Sequence, residues 1–175
     1  MPEFGIDTGE DTAMEAMTSS GAQFVHLHTH SDFSLMESTA SVAALVRKAK
    51  ELGMGHLAIT DRGNLFAVPE FVATCRAEGI KPIIGCEFEI EPLGRERWND
   101  RAASTTYRIT LLAMDETGYR NLVRLSSKSC TGSSTTLHPL SRQEIIDHAD
   151  GLIALSGDPT GEISQLVLHG NMTLA

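Results

Sequence analysis

The sequence is short of aromatic residues (5%), has only three cysteines, places no basic residue before Arg47 and contains no long apolar run. Each shortage excludes something. Without a stretch of about 18 or more apolar residues there is no candidate membrane span. The N-terminus also lacks the basic-then-apolar order of a secretory signal, so a cytoplasmic location is expected. Cys75, Cys86 and Cys130 form neither a CxxC pair nor an even framework, and free thiols in a reducing compartment are expected rather than disulfides. All five charges in the first 23 residues are acidic, the net charge is −9, and omitting that stretch still leaves −4. A domain that holds nucleic acid through its own surface usually shows a basic stripe, because neutralised phosphates and released counterions supply most of that affinity. This sequence has none.

What is present suffices for one domain with a real core: 175 residues, 41% hydrophobic and 21% charged. Residues 1–23 are small, polar and acidic without a sustained period, so they are expected to be a flexible leader, with the fold starting at Phe24. From there short β-like runs alternate with helical ones. FVHLH (24–28), HLAIT (56–60) and KPIIGCEFEI (81–90) read as strands, separated by helices over about 41–52 and 68–78. In the first helix Val42, Leu45, Val46, Ala49 and Leu52 share one face, and Gly53 is placed to end it. In the second, Pro69 fits the first turn and Gly79 the stop. The two helical crossovers predict that these three strands run parallel. Residues 91–106 read as a loop or flap and 131–140 as a polar linker. Strands over 107–114 and 151–156 and helices over 118–129, 141–148 and the region of Ile163 to Val167 complete the pattern. The fold class is α/β, either a barrel or an open wound sheet; periodicity does not choose.

The chemistry concentrates in HLHTHSD (26–32). His26, His28 and His30 stand at i, i+2 and i+4, so an extended strand points all three imidazoles to one face. Neutral imidazoles in such a row can chelate a divalent cation with carboxylates completing the shell, or can simply be hydrogen-bonded at a polar strand end. Asp61 follows the strand HLAIT, Glu87 lies in the third strand, and Glu37 lies in the loop after the first. All three can reach one mouth at the carboxyl ends of parallel strands, the edge where α/β folds build sites. Arg62 and Arg108 occupy the same neighbourhoods and would repel a cation. Either they turn inward and pair with Glu37 or Glu87 in place of a metal, or they face water and leave the site open.

FVHLHTHSDFSL, LGMGHLAITDRGNLF, GIKPIIGCEFEI, LLAMDETGYRNLVRLSS and HADGLIALSGDPTGEI together resemble the N-terminal PHP (polymerase and histidinol phosphatase) domain of the bacterial DNA polymerase III alpha subunit, from Phe24 to about Gly170. The first two stretches are shared broadly among PHP proteins, and the later three look specific to the polymerase branch. The resemblance implies a distorted, TIM-like (β/α)7 barrel, here incomplete on its C-terminal side, so that residues 24–175 would be a truncated PHP domain with apolar edge surface exposed. It implies metal ligation by His28, His30, Glu37 and Glu87, with Asp61 and His26 beside them. Arg62 and Arg108 stand where that family has histidine ligands, which implies an eroded site holding zinc or manganese weakly or not at all, and no catalytic residue. Intact family members carry out metal-dependent phosphoester hydrolysis, including 3′–5′ exonuclease activity. The implied parent is a DNA-directed DNA polymerase (a nucleotidyltransferase of DNA replication) that uses magnesium elsewhere in its chain. The implied partners are the polymerase body and a proofreading exonuclease subunit, with DNA met through the parent and no membrane. A free-standing PHP phosphoesterase is the alternative.

Overall fold

The computed structural model describes residues 24–92, 106–131, 137–157, 159, 161–170 and 172–173. The leader, most of the 91–106 flap and the centre of the linker lie outside the described residues. The elements are α1 (Val42–Glu51), β1 (His56–Ile59), α2 (Val68–Glu78), β2 (Lys81–Ile90), β3 (Tyr107–Ala113), α3 (Glu116–Cys130), α4 (Arg142–Ile146), β4 (Leu152–Leu155) and α5 (Glu162–Leu168). The architecture is mixed α/β. No helix among the described residues is long and apolar enough to cross a membrane.

Local chemistry sets the helix ends. Ser41 caps α1 by accepting from the Ala44 amide at 3.3 Å, which satisfies one of the orphan N–H groups of a first turn. Pro69 sits in the first turn of α2, and Gly79 closes that helix in the left-handed region at φ 73°, where a side chain would be strained. Asp115 caps α3 through the Gly118 amide at 2.9 Å. Gly118 itself has no room for a side chain, since a Cβ there would lie 1.9 Å from the Gly151 carbonyl oxygen.

Four strands form one sheet in the order β1-β2-β3-β4. β1 and β2 run parallel, as the α2 crossover predicts, pairing His56 with Lys81 through Ile59 with Ile84. β3 is antiparallel to β2 and β4 antiparallel to β3. β3 lies alongside β2 with Gly85 opposite Leu112 and Ile90 opposite Tyr107. β4 is reached only after a further passage through Leu140, which bridges Ile90 in parallel, and through α4. These pairings do not close into a barrel.

The expected first strand, 24–28, is not a ladder strand. The Ala58 amide donates to the His26 carbonyl at 3.0 Å, but the Thr60 amide donates to the Thr29 carbonyl at 2.8 Å, so a three-residue step in the first segment answers a two-residue step from β1 into Thr60. The extra residue breaks the two-residue period, and the Thr60 hydroxyl takes over the Thr29 amide at 2.8 Å.

Two apolar clusters flank the sheet elements. Val42, Val46 and Ala49 of α1 pack with Leu57, Ile59, Phe71, Cys75 and Ile80. Cys86 and Phe88 of β2 pack with Leu111, Leu122, Leu125 and Leu140. Because side chains alternate along β2, burying Cys86 and Phe88 turns Glu87 and Glu89 to the opposite face. That alternation builds the site.

Candidate functional site

The site begins where β1 ends. The Glu87 amide donates to the Asp61 carbonyl at 3.1 Å and the Gly63 amide to the Glu87 carbonyl at 2.8 Å, a bridge that holds Arg62 beside Glu87. Asp61 is 2% exposed. Its carboxylate accepts from the Ser31 amide at 2.7 Å, the Ser31 hydroxyl at 2.6 Å and the Ser34 hydroxyl at 2.5 Å. Three neutral donors thus compensate the buried charge, and Asp61 fastens the segment carrying His30 to the end of β1.

Around Glu87 the groups are imidazole and guanidinium. His28 Nε2 lies 3.1 Å from Glu87 Oε1, and His30 Nε2 lies 3.6 Å from Glu87 Oε2. The two imidazoles meet edge to face with centroids 4.9 Å apart. Glu37, at the end of the loop, faces His30 Nδ1 at 3.4 Å. Arg62 Nη1 donates to Glu37 Oε1 at 2.5 Å while its Nη2 reaches Glu89 Oε1. Arg108 grips the same Glu37 with two donors, at 2.8 and 3.3 Å, and stands 3.4 Å from Glu87 Oε2. Thr106 adds a hydroxyl to Glu89 at 3.2 Å. Burial alone would push the Glu37 carboxyl up, but the charges and hydrogen bonds of Arg108 and Arg62 outweigh it and hold the group below the ordinary carboxylate range.

His28, His30 and Glu87 each offer a ligand atom, all within 4.8 Å of one another. His30 Nε2 and Glu87 Oε2 are buried and have no hydrogen-bond partner. Three carboxylates, Glu37, Glu87 and Glu89, face two guanidinium groups, which leaves a formal negative charge when the imidazoles are neutral. Two unsatisfied buried atoms and an uncompensated charge suit a single divalent cation. A cluster of several ions does not fit, because guanidinium groups fill the space around Glu37.

Of the residues singled out from the sequence, His28, His30, Glu37, Glu87, Arg62 and Arg108 converge on one mouth, and Asp61 lies directly beneath it. His26 does not join them. It meets the Phe24 ring edge-on at 4.8 Å, because the extra residue between His26 and Thr29 puts it out of phase with the other two imidazoles. The outward orientation of the arginines is not the one adopted. Sequence reasoning overlooked Glu89, although its position two residues from Glu87 on a strand was a usable signal. It also overlooked Ser31 and Ser34, whose roles depend on how the loop closes over Asp61.

The chain matches the family model described as PHP domain over residues 26–175. The DNA polymerase III subunit alpha of Treponema pallidum is 43% identical over 148 residues, which is 84% of this chain and 13% of that protein. The DNA polymerase III subunit alpha of Thermus aquaticus is 40% identical over 157 residues, covering 87% of this chain and 13% of that protein. The chain therefore spans only 12–14% of the length of such curated relatives. Among solved structures, an amidohydrolase from Chromobacterium violaceum aligns at 23% identity and a TM-score of 0.45, over 60% of this chain and 33% of that one.

Proposed function

This chain belongs to the PHP domain family and is homologous to part of DNA polymerase III subunit alpha, and from that premise we propose that it serves a replicative DNA polymerase as a structural or proofreading-related module in which ion pairs have taken over from a metal cluster. Its open sheet is then a portion of a TIM-like PHP barrel. The observation that carries the reading is the double engagement of Glu37 by Arg62 and Arg108 beside Glu87. A guanidinium holds a carboxylate by directed hydrogen bonds, as a metal does by coordination, yet it cannot polarise water into hydroxide. Arg62 thereby ties the loop after His30 to β2, and Arg108 ties it to β3.

A cation, where one binds, is held by His28, His30 and Glu87. Zinc and manganese suit that donor set, and such an ion would supply Lewis-acid polarisation of a phosphate oxygen or a bound water. The chain's own contribution is to orient the two imidazoles through Glu87 and to fix the loop through Asp61. Nucleotidyl transfer, with its magnesium ions, is assigned to the parent chain rather than to these residues. The polymerase body and a proofreading exonuclease are the proposed partners, and DNA is met through the parent.

The test combines elemental analysis of the purified chain with phosphoesterase assays on a chromogenic phosphate ester and on a 3′-labelled oligonucleotide. Substoichiometric metal and no turnover above the metal-free control are expected. Stoichiometric zinc or manganese that survives dialysis, together with turnover, overturns the structural reading. It would favour the second reading, a metal-dependent PHP phosphoesterase, whose support is the unsatisfied pair His30 Nε2 and Glu87 Oε2.

A further inference from the structure

Two of the three cysteines converge on the turn that carries Arg62. The Cys86 sulfhydryl, on β2, points at the Asp61 carbonyl at 3.2 Å and at the Asn64 carbonyl at 3.6 Å. The Cys130 sulfhydryl, on the last residue of α3, points at the Gly63 carbonyl of the same turn, also at 3.6 Å. That carbonyl accepts as well from the Ser126 hydroxyl at 2.9 Å and the Ser129 hydroxyl at 3.5 Å, so the end of α3 is gathered onto the turn. Leu122 and Leu125 of the helix belong to the apolar cluster of Cys86, which holds β2 and α3 together beneath it. A weak sulfhydryl donor adds little to a carbonyl already held by two hydroxyls, so hydrogen bonding alone does not account for the second thiol.

The two thiols differ in a way that gives their chemistry an order. Cys130 is exposed and lines the open cavity beside the mouth, so a small solute reaches it directly. Cys86 is wholly buried. Burial pushes its thiol well above the ordinary cysteine range; a Gly63 backbone hydrogen bond opposes this, and charge on Asp61, Cys130 and Glu87 reinforces it. Cys86 is therefore inert by itself yet within electrostatic reach of Cys130. Cys75 supplies the contrast. It is buried in the other apolar cluster, where burial pushes its thiol up to about 11, and neither of the other cysteines belongs to that cluster.

We propose that Cys130 and Cys86 are a thiol modification site, joined by a reversible disulfide when the chain meets a peroxide, and that this bond fastens β2 to the end of α3 across the turn carrying Arg62. The exposed Cys130 sulfur attacks one peroxide oxygen, the O–O bond breaks, and the other oxygen leaves as water with the thiol proton, giving a sulfenic acid. The Cys86 sulfur then attacks the Cys130 sulfur. An S–S bond forms, the S–O bond breaks, and the departing hydroxide takes the Cys86 proton as a second water. Two thiols are thus oxidised to one disulfide while one peroxide is reduced to two waters. Held beside its target, Cys86 needs no thiolate population of its own in bulk solution, because the attack is intramolecular. A small thiol reverses the bond by exchange and is itself oxidised to a disulfide. A bond made only under oxidant is of the transient, redox-sensing kind. The inference goes beyond the reading of the mouth, and metal content does not enter its readout.

The test treats the reduced full chain with hydrogen peroxide under native conditions and follows it by peptide mass spectrometry without reductant. A peptide pair joined through Cys86 and Cys130, two hydrogens lighter than the separate peptides, is expected, with Cys75 left free and both thiols restored by dithiothreitol. The crosslinked chain should melt about 5 °C or more above the reduced chain. Amide exchange of Arg62, Gly63 and Asn64 should slow by about tenfold or more. Cys75→Ala should leave all of this unchanged. Cys130→Ser and Cys86→Ala should each abolish the crosslinked peptide and the rise in melting temperature, and the surface position of Cys130 keeps its variant informative should the buried one fail to fold. Oxidation of Cys130 to sulfinic acid with Cys86 still reduced overturns the proposal. So does a bond to Cys75, a bond between two copies of the chain, a crosslink that forms only in urea, or a crosslinked chain whose melting and exchange match those of the reduced one.

Discussion

Two carboxylate centres adjoin in space, the Glu87 amide donating to the Asp61 carbonyl, and are compensated in opposite ways. Asp61 is buried beneath the mouth and satisfied by an amide and two hydroxyls. Glu37 and Glu87 form the mouth itself and are satisfied by guanidinium and imidazole groups. The first centre is closed, because every contact is short and comes from a neutral donor, and nothing could enter without breaking the loop. The second retains two buried atoms without hydrogen bonds. Neutral donors fix a fold, whereas guanidinium partners can be exchanged for another cation, so Ser34 and Glu37, three residues apart in one loop, serve different ends.

The largest way to break this contrast is Asp61→Ala. It leaves the Ser31 amide and two buried hydroxyls without an acceptor and should cost about 3–5 kcal/mol of stability by urea unfolding; a loss under about 1 kcal/mol would show that the closed centre does not hold the fold. Next, Arg62→His with Arg108→His removes the two fixed cations and adds two imidazoles. Zinc affinity by chelator competition should rise about tenfold or more over the parent chain. An unchanged affinity in a folded double variant would separate the arginines from the metal question.

A smaller effect concerns acid. Glu37 has its folded-state pKa below the ordinary value near 4.5. Its contribution to stability is therefore present above about pH 4.5 and is lost as the pH falls through the depressed folded-state value. Glu37→Gln should flatten the stability profile in that acid window and lower stability at neutral pH, as followed by melting between pH 3 and 7; an acid limb as steep as that of the parent chain would count against the ion-pair network. The smallest expected change is Lys48→Ala, which removes an ion pair to Glu51 at 3.1 Å between side chains that are both more than half exposed. Stability should stay within about 0.5 kcal/mol. A larger change would blur the distinction between mouth and surface.

How much could be read in advance varies by element. The parallel pair β1–β2 and helices α1 and α2 are legible to within a residue or so, because apolar period and the stops at Gly53 and Gly79 act over short stretches of chain. The direction of β3 was not legible, since it depends on the path of the chain after Ile90 rather than on the residues within the strand. In the site, His28, His30 and Glu87 could be named from alternation and strand ends. Their separation from His26 could not, because one extra residue in the first segment shifts its phase against β1. The partner of Arg62 on β2 is Glu89, a residue of ordinary appearance until the bridge between Arg62 and Glu87 sets the register.

The sequence by itself determined which chemical groups are available: a row of imidazoles in a short motif, acids on neighbouring strands, arginines among them, and a net charge of −9. Tertiary structure alone decided which acid each arginine takes, that Ser31 and Ser34 close over Asp61, and that Leu35 and Met36 face outward. The physical reason is range. Propensity and alternation act over a few residues, whereas a charge in a partly buried site chooses its partner by distances of 2.5 to 3.6 Å between segments more than 20 residues apart in the chain, and only the packed sheet fixes those distances.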